Sequence, residues 1–538
     1  MWWLWVPIGG ALLLRAAELI AVAQQASLAN DLLLDSDLYA AMAQRVSNGD
    51  LLLGSEPFAV GPLYAYLLAF FRLVFGSSNV PVFVCQQTAG LLSVALIALL
   101  ARKLASPMGA CLAGLAFAAY APAVLLECKI LGESWALLAA LGVTYFAQRG
   151  RMAWSGVSLG LACLLRPDLV LCIAIGTLYT LRPERASAGW WRRPGELSFS
   201  RCLRWTAPAI CIVGLATARN WAVASEFVPV SSQVGITFYQ GNNSRAEGTF
   251  SIPADFSGDK LTQEAEARSI AERSRGKRLT AREVNSHFMS QGIDYLSADV
   301  PRALGLFSHK FAYFLANAEL SGEYVVSAER CLAVPLHGAL TPFGLFLAFF
   351  VIGLRRARQK DPELLAWAGL FILGGLLTAL IFFASSRYRL VAAAHLAIFV
   401  GAGWDELREQ WPRPLTRPVL AGALLFALSW LPARQAMRFQ AASELYNLGG
   451  KQYERGDYHD AIRYYLAARQ VRTKDVDVHY NLAQAYAMVG DYASAARELT
   501  TVLELKPGAA DAREYLRRYR AQAAEGTPAT DAAALCDL

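Results

Sequence analysis

Apolar runs separated by short polar connections dominate residues 1–435. They lie near 2–22, 80–101, 109–126, 133–148, 154–165, 168–181, 205–222, 331–354, 364–384, 390–404 and 417–432. The pattern predicts an all-α polytopic membrane protein of about eleven spans. A straight helix needs about 20 residues to cross a bilayer, and several of these runs are shorter, so their boundaries are soft. In the run 57–76, "PFAVGPLYAYLLAFFRLVFG", Arg72 and the Gly61-Pro62 start favour an interfacial helix over a further span.

The character of the chain changes after residue 440. "NLGGKQYERGDYHDAIRYYLAARQV" and "NLAQAYAMVGDYASAARELTTVLELKP" align at one offset. Asn447 matches Asn481, Gly456-Asp457-Tyr458 matches Gly490-Asp491-Tyr492, and Ala461 matches Ala495; the offset is 34 residues, since 491 − 457 = 34. That period, with Pro507 closing the second unit, looks like tetratricopeptide repeats. Residues 509–522 read as a solvating cap and 523–538 as a disordered tail, giving a membrane domain at 1–435 and a helical solenoid at 440–522.

The chain has 538 residues, 55% of them hydrophobic and 17% charged, which excludes an ordinary soluble enzyme. A net charge of +7 does not point to nucleic acid, because the basic residues sit in short connections between apolar runs. These are Arg102-Lys103, Arg149 and Arg151, the stretch 182–204 with "RPER", "WWRRP" and "RCLR", and "RRARQK" at 355–360. The positive-inside rule makes them cytoplasmic and puts the N-terminus inside. Outside are then Asp35 and Asp37, "ECKILGE" (127–133), Arg166, the long loop 223–330, "SSRYR" (385–389) and the repeats. Arg434 and Arg438 run against that assignment. The start "MWWLWVPIGGALLLRAAELIAVA" lacks a basic leader and reads as a retained first span. Nine scattered Cys without a C-x-x-C pair indicate neither a disulfide framework nor a zinc site. The six His show no metal spacing, and His395 reads as a packed residue.

Two carboxylates, Asp35 and Asp37, sit directly after the first span, where charge is costly. Locally they are explained as caps of a helix whose Leu38, Met42 and Val46 form one stripe. Capping needs one such residue, and here Asp35, Ser36 and Asp37 are consecutive.

Four stretches carry a further explanation. Asp35-x-x-x-Tyr39 followed by "NGD" and "GPLYAYLLAFFRLVFG" is joined by "LLRPDLVL" (164–171), "RNWAVASEFVPVSSQVGITFYQGNN" (219–243) and "SSRYRLVAAAHLAIF" (385–399). In this order they resemble the GT-C membrane glycosyltransferases. The particular branch is that of dolichyl-phosphate-mannose–protein mannosyltransferases and lipid A aminoarabinose transferases. The resemblance implies sugar transfer from a polyprenyl-phosphate carrier lipid to a hydroxyl, with inversion, at the external membrane face. It implies Asp35 as general base. Asp37 is the alternative; it completes a D-x-D that in some members marks a divalent metal, which is left open. No other cofactor is implied, and no phosphate-cradling glycine loop is present.

The leaving lipid phosphate calls for fixed cations. The candidates are Arg387 and Arg389 first, then Arg219, Arg166 and Lys129, each with snorkelling or carboxylate pairing as its plain reading. The aminoarabinose enzymes carry Glu-Lys where this chain has Ala59-Val60, so another cation must replace that lysine. Glu133 matches an acidic family position and either orients the acceptor or an arginine, or caps its helix. Tyr39, Tyr239, Asn242 and Asn243 are candidate sugar contacts, with Asn also an ordinary turn former. Arg15 and Glu18, one turn apart, read as a self-neutralising pair.

The expected partners are a polyprenyl-phosphate sugar, membrane lipid, a protein or glycolipid acceptor, and a protein bound by the repeats. The expected location is a bacterial inner membrane with site and repeats periplasmic. Two other classes remain. One is an O-antigen ligase or oligosaccharyltransferase using lipid-diphosphate oligosaccharide, against which the early Asp35 loop argues. The other is a non-enzymatic, membrane-anchored repeat scaffold, for which so many spans are superfluous.

Overall fold

The computed structural model describes residues 1–182, 198–410, 416–431, 434–524 and 532–536, and among these every regular element is a helix. All eleven apolar runs are helical, but their lengths divide them. Trp2–Gln24, Val80–Ala101, Phe199–Ala224, Val334–Lys360 and Pro362–Ile381 are long and apolar enough to cross a membrane. Ser386–Ala397 and Val400–Gln410 make a sixth candidate, bent by 44°. Pro107–Ala118, Glu133–Ala147, Met152–Leu165, Pro167–Thr180 and Arg417–Leu428 are shorter. At about 1.5 Å per residue a 14-residue helix is about 21 Å long, less than the hydrocarbon thickness. The run 109–126 breaks at Tyr120, where the backbone turns extended and a second helix, Ala121–Leu126, begins. The 57–76 run yields Leu63–Phe75, 13 residues, whose Arg72 donates to the Ala40 carbonyl at 3.1 Å.

The basic connections gather at one end of the bundle. Lys103 meets Asp361 at 3.5 Å, Arg201 meets Glu363 at 2.5 Å, and Arg356 meets Glu409 at 2.8 Å. Apart from Arg182, the "RPER" and "WWRRP" stretches fall in 183–197, outside the described residues. At the opposite end lie the Asp35 segment, the N-terminus of Glu133–Ala147, Arg166 and the 385–389 turn. Arg15 corrects its expected pairing: its partner is Glu127, at 2.7 Å, not Glu18. Gly90 lets this happen, since a Cβ there would collide with the Glu127 carboxylate.

The repeats fold as Arg434–Arg455, Tyr458–Arg469, Val476–Met488, Tyr492–Leu505 and Ala510–Ala524. Gly456 and Gly490 turn between paired helices at φ of 87° and 84°, a region that favours glycine. Ala461 and Ala495 are fully buried at the crossings, and Ala512, Leu516 and Tyr519 of the last helix cover the end of the stack. The repeats share a core that includes Ala461, Ile462, Tyr465 and Leu466 of the first, whereas Ala441, Leu445, Ala467 and Ala468 belong to the core of the membrane domain. Glu444 accepts from the Val325 amide at 2.6 Å, and Gln440 from the Ser321 amide at 2.9 Å. Arg455 and Gln452 both bind the buried Asp31.

Two expectations are corrected at the C-terminus. Residues 532–536 of the tail are packed: the Leu535 amide donates to the Arg463 carbonyl at 3.1 Å, and Gln470 donates to the Cys536 carbonyl at 3.0 Å. The remainder of the tail beyond 524 lies outside the described residues. Cys536 is disulfide-bonded to Cys331, 205 residues away, a separation that no spacing rule detects.

Candidate active site

The Asp35–Ser47 helix starts at a kink, with Leu34 at φ 42° and no side-chain cap. Capping therefore does not account for the two aspartates. Two positions apart on a helix means about 200° of rotation, so they face different partners. Asp37 turns to Lys451 of the repeats at 3.2 Å, whereas Asp35 turns into a cavity of about 500 Å³. The intervening Ser36 is buried; its amide donates to Glu323 at 3.1 Å, and its hydroxyl accepts from Tyr324 at 3.1 Å.

Arg387 lines this cavity and joins its carboxylates. Its guanidinium meets Asp35 at 3.0 Å, Glu323 at 2.6 Å and Glu133 at 2.7 Å. Glu133, at the first position of its helix, is 3% exposed. Arg166 forms a fork to Asp168, at 3.0 and 3.1 Å, and donates to the Arg387 carbonyl at 2.6 Å. Lys260, from the long loop, approaches Asp35 at 3.4 Å and donates to Gln233 at 3.1 Å. The other flank is apolar, with Leu165, Val170, Leu171, Ile381 and Phe382. Charge is thus concentrated on one side of a space whose opposite wall suits hydrocarbon.

The environment separates the carboxylates. Burial would raise the pKa of Asp35, but Lys260 and Arg387 outweigh it and hold the group at about 2. For Glu323 burial prevails over Arg387 and pushes the pKa up to about 8, with nearby Asp35 adding to the rise. At neutral pH, Glu323 therefore holds its proton while Asp35 is charged. Asp37 is raised by burial, partly offset by Lys451.

Asp35, Tyr39, Glu133, Arg166 and Arg387 converge on the cavity as the sequence suggested. Seven other candidates do not, Asp37 on Lys451 among them. Arg389 is buried, donating to the carbonyls of Phe314, Ala316 and Ala318 and pairing with Glu319 at 2.5 Å. Both of its terminal nitrogens are bonded to the 314–318 carbonyls or to the Glu319 carboxylate. Arg219 braces the carbonyls of Leu52, Gly54 and Glu56. Lys129 is buried against Glu329 at 2.5 Å. Tyr239 packs on Phe288, with ring centroids 5.6 Å apart. Asn242 bridges Phe238 and Ile381 carbonyls and accepts from Lys310 at 2.8 Å, and Asn243 ties Tyr239, Gln240 and Ser251. Both asparagines are turn braces. His395 is packed as expected, stacked on Phe371 with centroids 4.4 Å apart.

Lys260 and Glu323 were not legible. Both lie in the 223–330 region without a local pattern, and only the fold brings them to Arg387. Asp168 and Tyr388 also line the cavity, each inside a stretch already singled out, "LLRPDLVL" and "SSRYR". Among the described residues no three His, Cys, Asp or Glu converge to hold a metal ion, and Asp35 and Asp37 do not form a shared ligand set.

Residues 56–197 match the family model described as dolichyl-phosphate-mannose-protein mannosyltransferase. The resemblance to GT-C membrane glycosyltransferases holds. Glu133, Arg166 and Asp168 lie inside the matched stretch, and Asp35, Glu323 and Arg387 outside it. Residues 452–519 match the tetratricopeptide repeat model. Among solved structures, the chain is similar to the Archaeoglobus fulgidus oligosaccharyltransferase, crystallised tethered to an acceptor peptide containing the NVT sequon. The identity is 16%, the TM-score 0.36, and 86% of this chain and 59% of that one are covered. The chain therefore spans less than two thirds of that protein's length. A second similar structure is the APC/C hetero-tetramer Cut9-Hcn1, at 13% identity and a TM-score of 0.18, covering 85% and 92% of the two chains. Scores this low say nothing of substrate. No curated protein matches.

Proposed function

We propose that the cavity transfers a sugar from a polyprenyl-phosphate donor to a hydroxyl acceptor with inversion, at the external membrane face. The observation that carries this reading is the meeting of Asp35 and Arg387, 352 residues apart, beside an apolar wall. The lipid would lie along Val170, Leu171 and Ile381, with its phosphate against Arg387 and Lys260. Glu133 and Glu323 hold the guanidinium in place for it. In the resting site Asp35 is a weak base, because the same two cations stabilise its charge. A bound phosphate competes for them, and burial then raises the basicity of Asp35 when the acceptor arrives. The acceptor oxygen bonds to C1 as the C1–O bond to phosphate breaks. Its proton passes to Asp35, and the bonding pair goes to the phosphate oxygen beside Arg387.

The disulfide supports the external assignment, since such bonds persist in oxidising compartments. The basic connections at the far end agree with it. A protein acceptor is favoured by the repeats, whose first helix reaches to Asp37, two residues from the base.

The reading is tested by sugar transfer with purified protein in lipid, polyprenyl-phosphate sugars and envelope extract. Asp35→Asn is expected to lower the rate by about 10²–10⁴-fold with intact donor binding, and Asp37→Asn far less. Equal transfer by Asp35→Asn and the unmodified protein would refute the role of Asp35. Consumption of lipid-diphosphate oligosaccharide alone would favour the ligase class.

A further inference from the structure

A second cavity, of about 1400 Å³, opens at the basic end of the bundle, away from the site above. Its lining includes five cations, Arg182, Arg201, Arg204, Arg358 and Lys360, but only two carboxylates, Asp361 and Glu363. Both carboxylates are engaged. Asp361 caps the Pro362–Ile381 helix through the Leu364 amide at 2.8 Å, and Glu363 pairs with Arg201 at 2.5 Å. Among the described residues the rim therefore carries an excess of positive charge, with no other acid lining it.

Below the rim the wall is apolar. It descends along Pro362–Ile381 through Leu365, Gly369 and Leu373, and along Val170–Thr180 through Leu178. From Pro362 to Leu373 is about 16 Å at about 1.5 Å per residue, the reach of much of an acyl chain within one leaflet. A Cβ at Gly369 would meet nothing within 4 Å, and Leu178 and Leu373 are 69% and 44% exposed. A charged mouth above an apolar slot along two helices fits an amphiphile, not a free anion.

We propose that this cavity binds an anionic phospholipid, its phosphate among Arg204, Arg358 and Lys360 and an acyl chain along Leu178, Gly369 and Leu373. The site is independent of the reaction proposed above. It would steady the helix whose far end, Ile381, lines the catalytic cavity.

Native mass spectrometry of the full chain from mixed micelles of phosphatidylglycerol and phosphatidylcholine tests this. The unmodified protein is expected to retain phosphatidylglycerol about tenfold over phosphatidylcholine. Arg204→Gln/Arg358→Gln should abolish the preference, and Gly369→Phe, which leaves the charge unchanged, should reduce binding of both lipids. Size-exclusion and thermal unfolding in phosphatidylcholine identify any variant that fails to fold. Absence of a preference, or a preference untouched in both folded variants, overturns the proposal. So does equal competition by inorganic phosphate, which would mean a free-anion site. Greater lipid retention in Trp190→Ala/Trp191→Ala would make the chain's own segment the occupant and overturn it likewise.

Discussion

Arg387 faces three carboxylates, and burial raises the pKa of one of them, Glu323, so that on the proposed reading an anionic donor meets one negative charge fewer below about pH 8. With its pKa at about 8 the group is neutral at physiological pH. Above that value a third negative charge appears beside the guanidinium. Deprotonation adds charge of the same sign as the phosphate, so the donor KM is expected to climb as pH passes about 8, with kcat less affected. Glu323→Gln should remove this alkaline limb, and initial rates across pH 6–10 measure both. The proton on Glu323 could not be foreseen in the sequence, where it is one acid in a long polar loop. Asp35 and Arg387 were legible because their neighbours form patterns; Arg389 was misjudged for the same reason. "RYR" puts two cations on one helix, but position two residues on turns the second away from the cavity and into the 314–319 carbonyls.

At the scale of elements, apolar periodicity located the helix-forming runs yet left lengths open, because hydropathy does not register the break at Tyr120, just ahead of Pro122, or the bend after Ala397. The repeat period was legible in full, since glycines at positive φ and alanines at crossings leave fixed marks. Its docking was not. Helix Arg434–Arg455 uses the face that a preceding repeat would cover to hold the membrane domain, at Asp31, Asp37, Ser321 and Val325. This joint is electrostatically lopsided. Asp31 is fully covered, and burial already raises its pKa against the pull of Arg455, whereas Arg455 is 40% exposed. Arg455→Ala leaves a carboxylate short of its cation in a dry place, while Asp31→Asn leaves an arginine that can turn to water. The first is expected to cost about 1–3 kcal/mol and the second distinctly less, read from thermal unfolding in lipid.

For the whole molecule, one covalent bond and one asymmetry of charge bear on orientation. Cys331 and Cys536 lie on the cavity side, in connecting and terminal segments, while the basic connections lie at the other end. If the cavity faces an oxidising compartment, Cys331→Ser leaves Cys536 as a free thiol there. A membrane-impermeant maleimide should then label this variant in intact cells, well above the unmodified protein. Labelling that requires permeabilised cells would place the repeats on the cytoplasmic side and withdraw the external assignment.

The shared core of the membrane domain and the first repeat has a consequence for biosynthesis. Pieces of the cavity leave the ribosome in the order Asp35, Glu133, Arg166, Lys260, Glu323, Arg387, and the clasp that fixes the Asp31–Asp37 and Ser321–Val325 segments follows all of them. A nascent chain stalled before Arg434 would hold every reacting group and still lack the element that sets their spacing. The spacing of the cavity groups is thus fixed only once Arg434–Arg455 has been made and docked, so products truncated before that helix would carry an unclasped cavity.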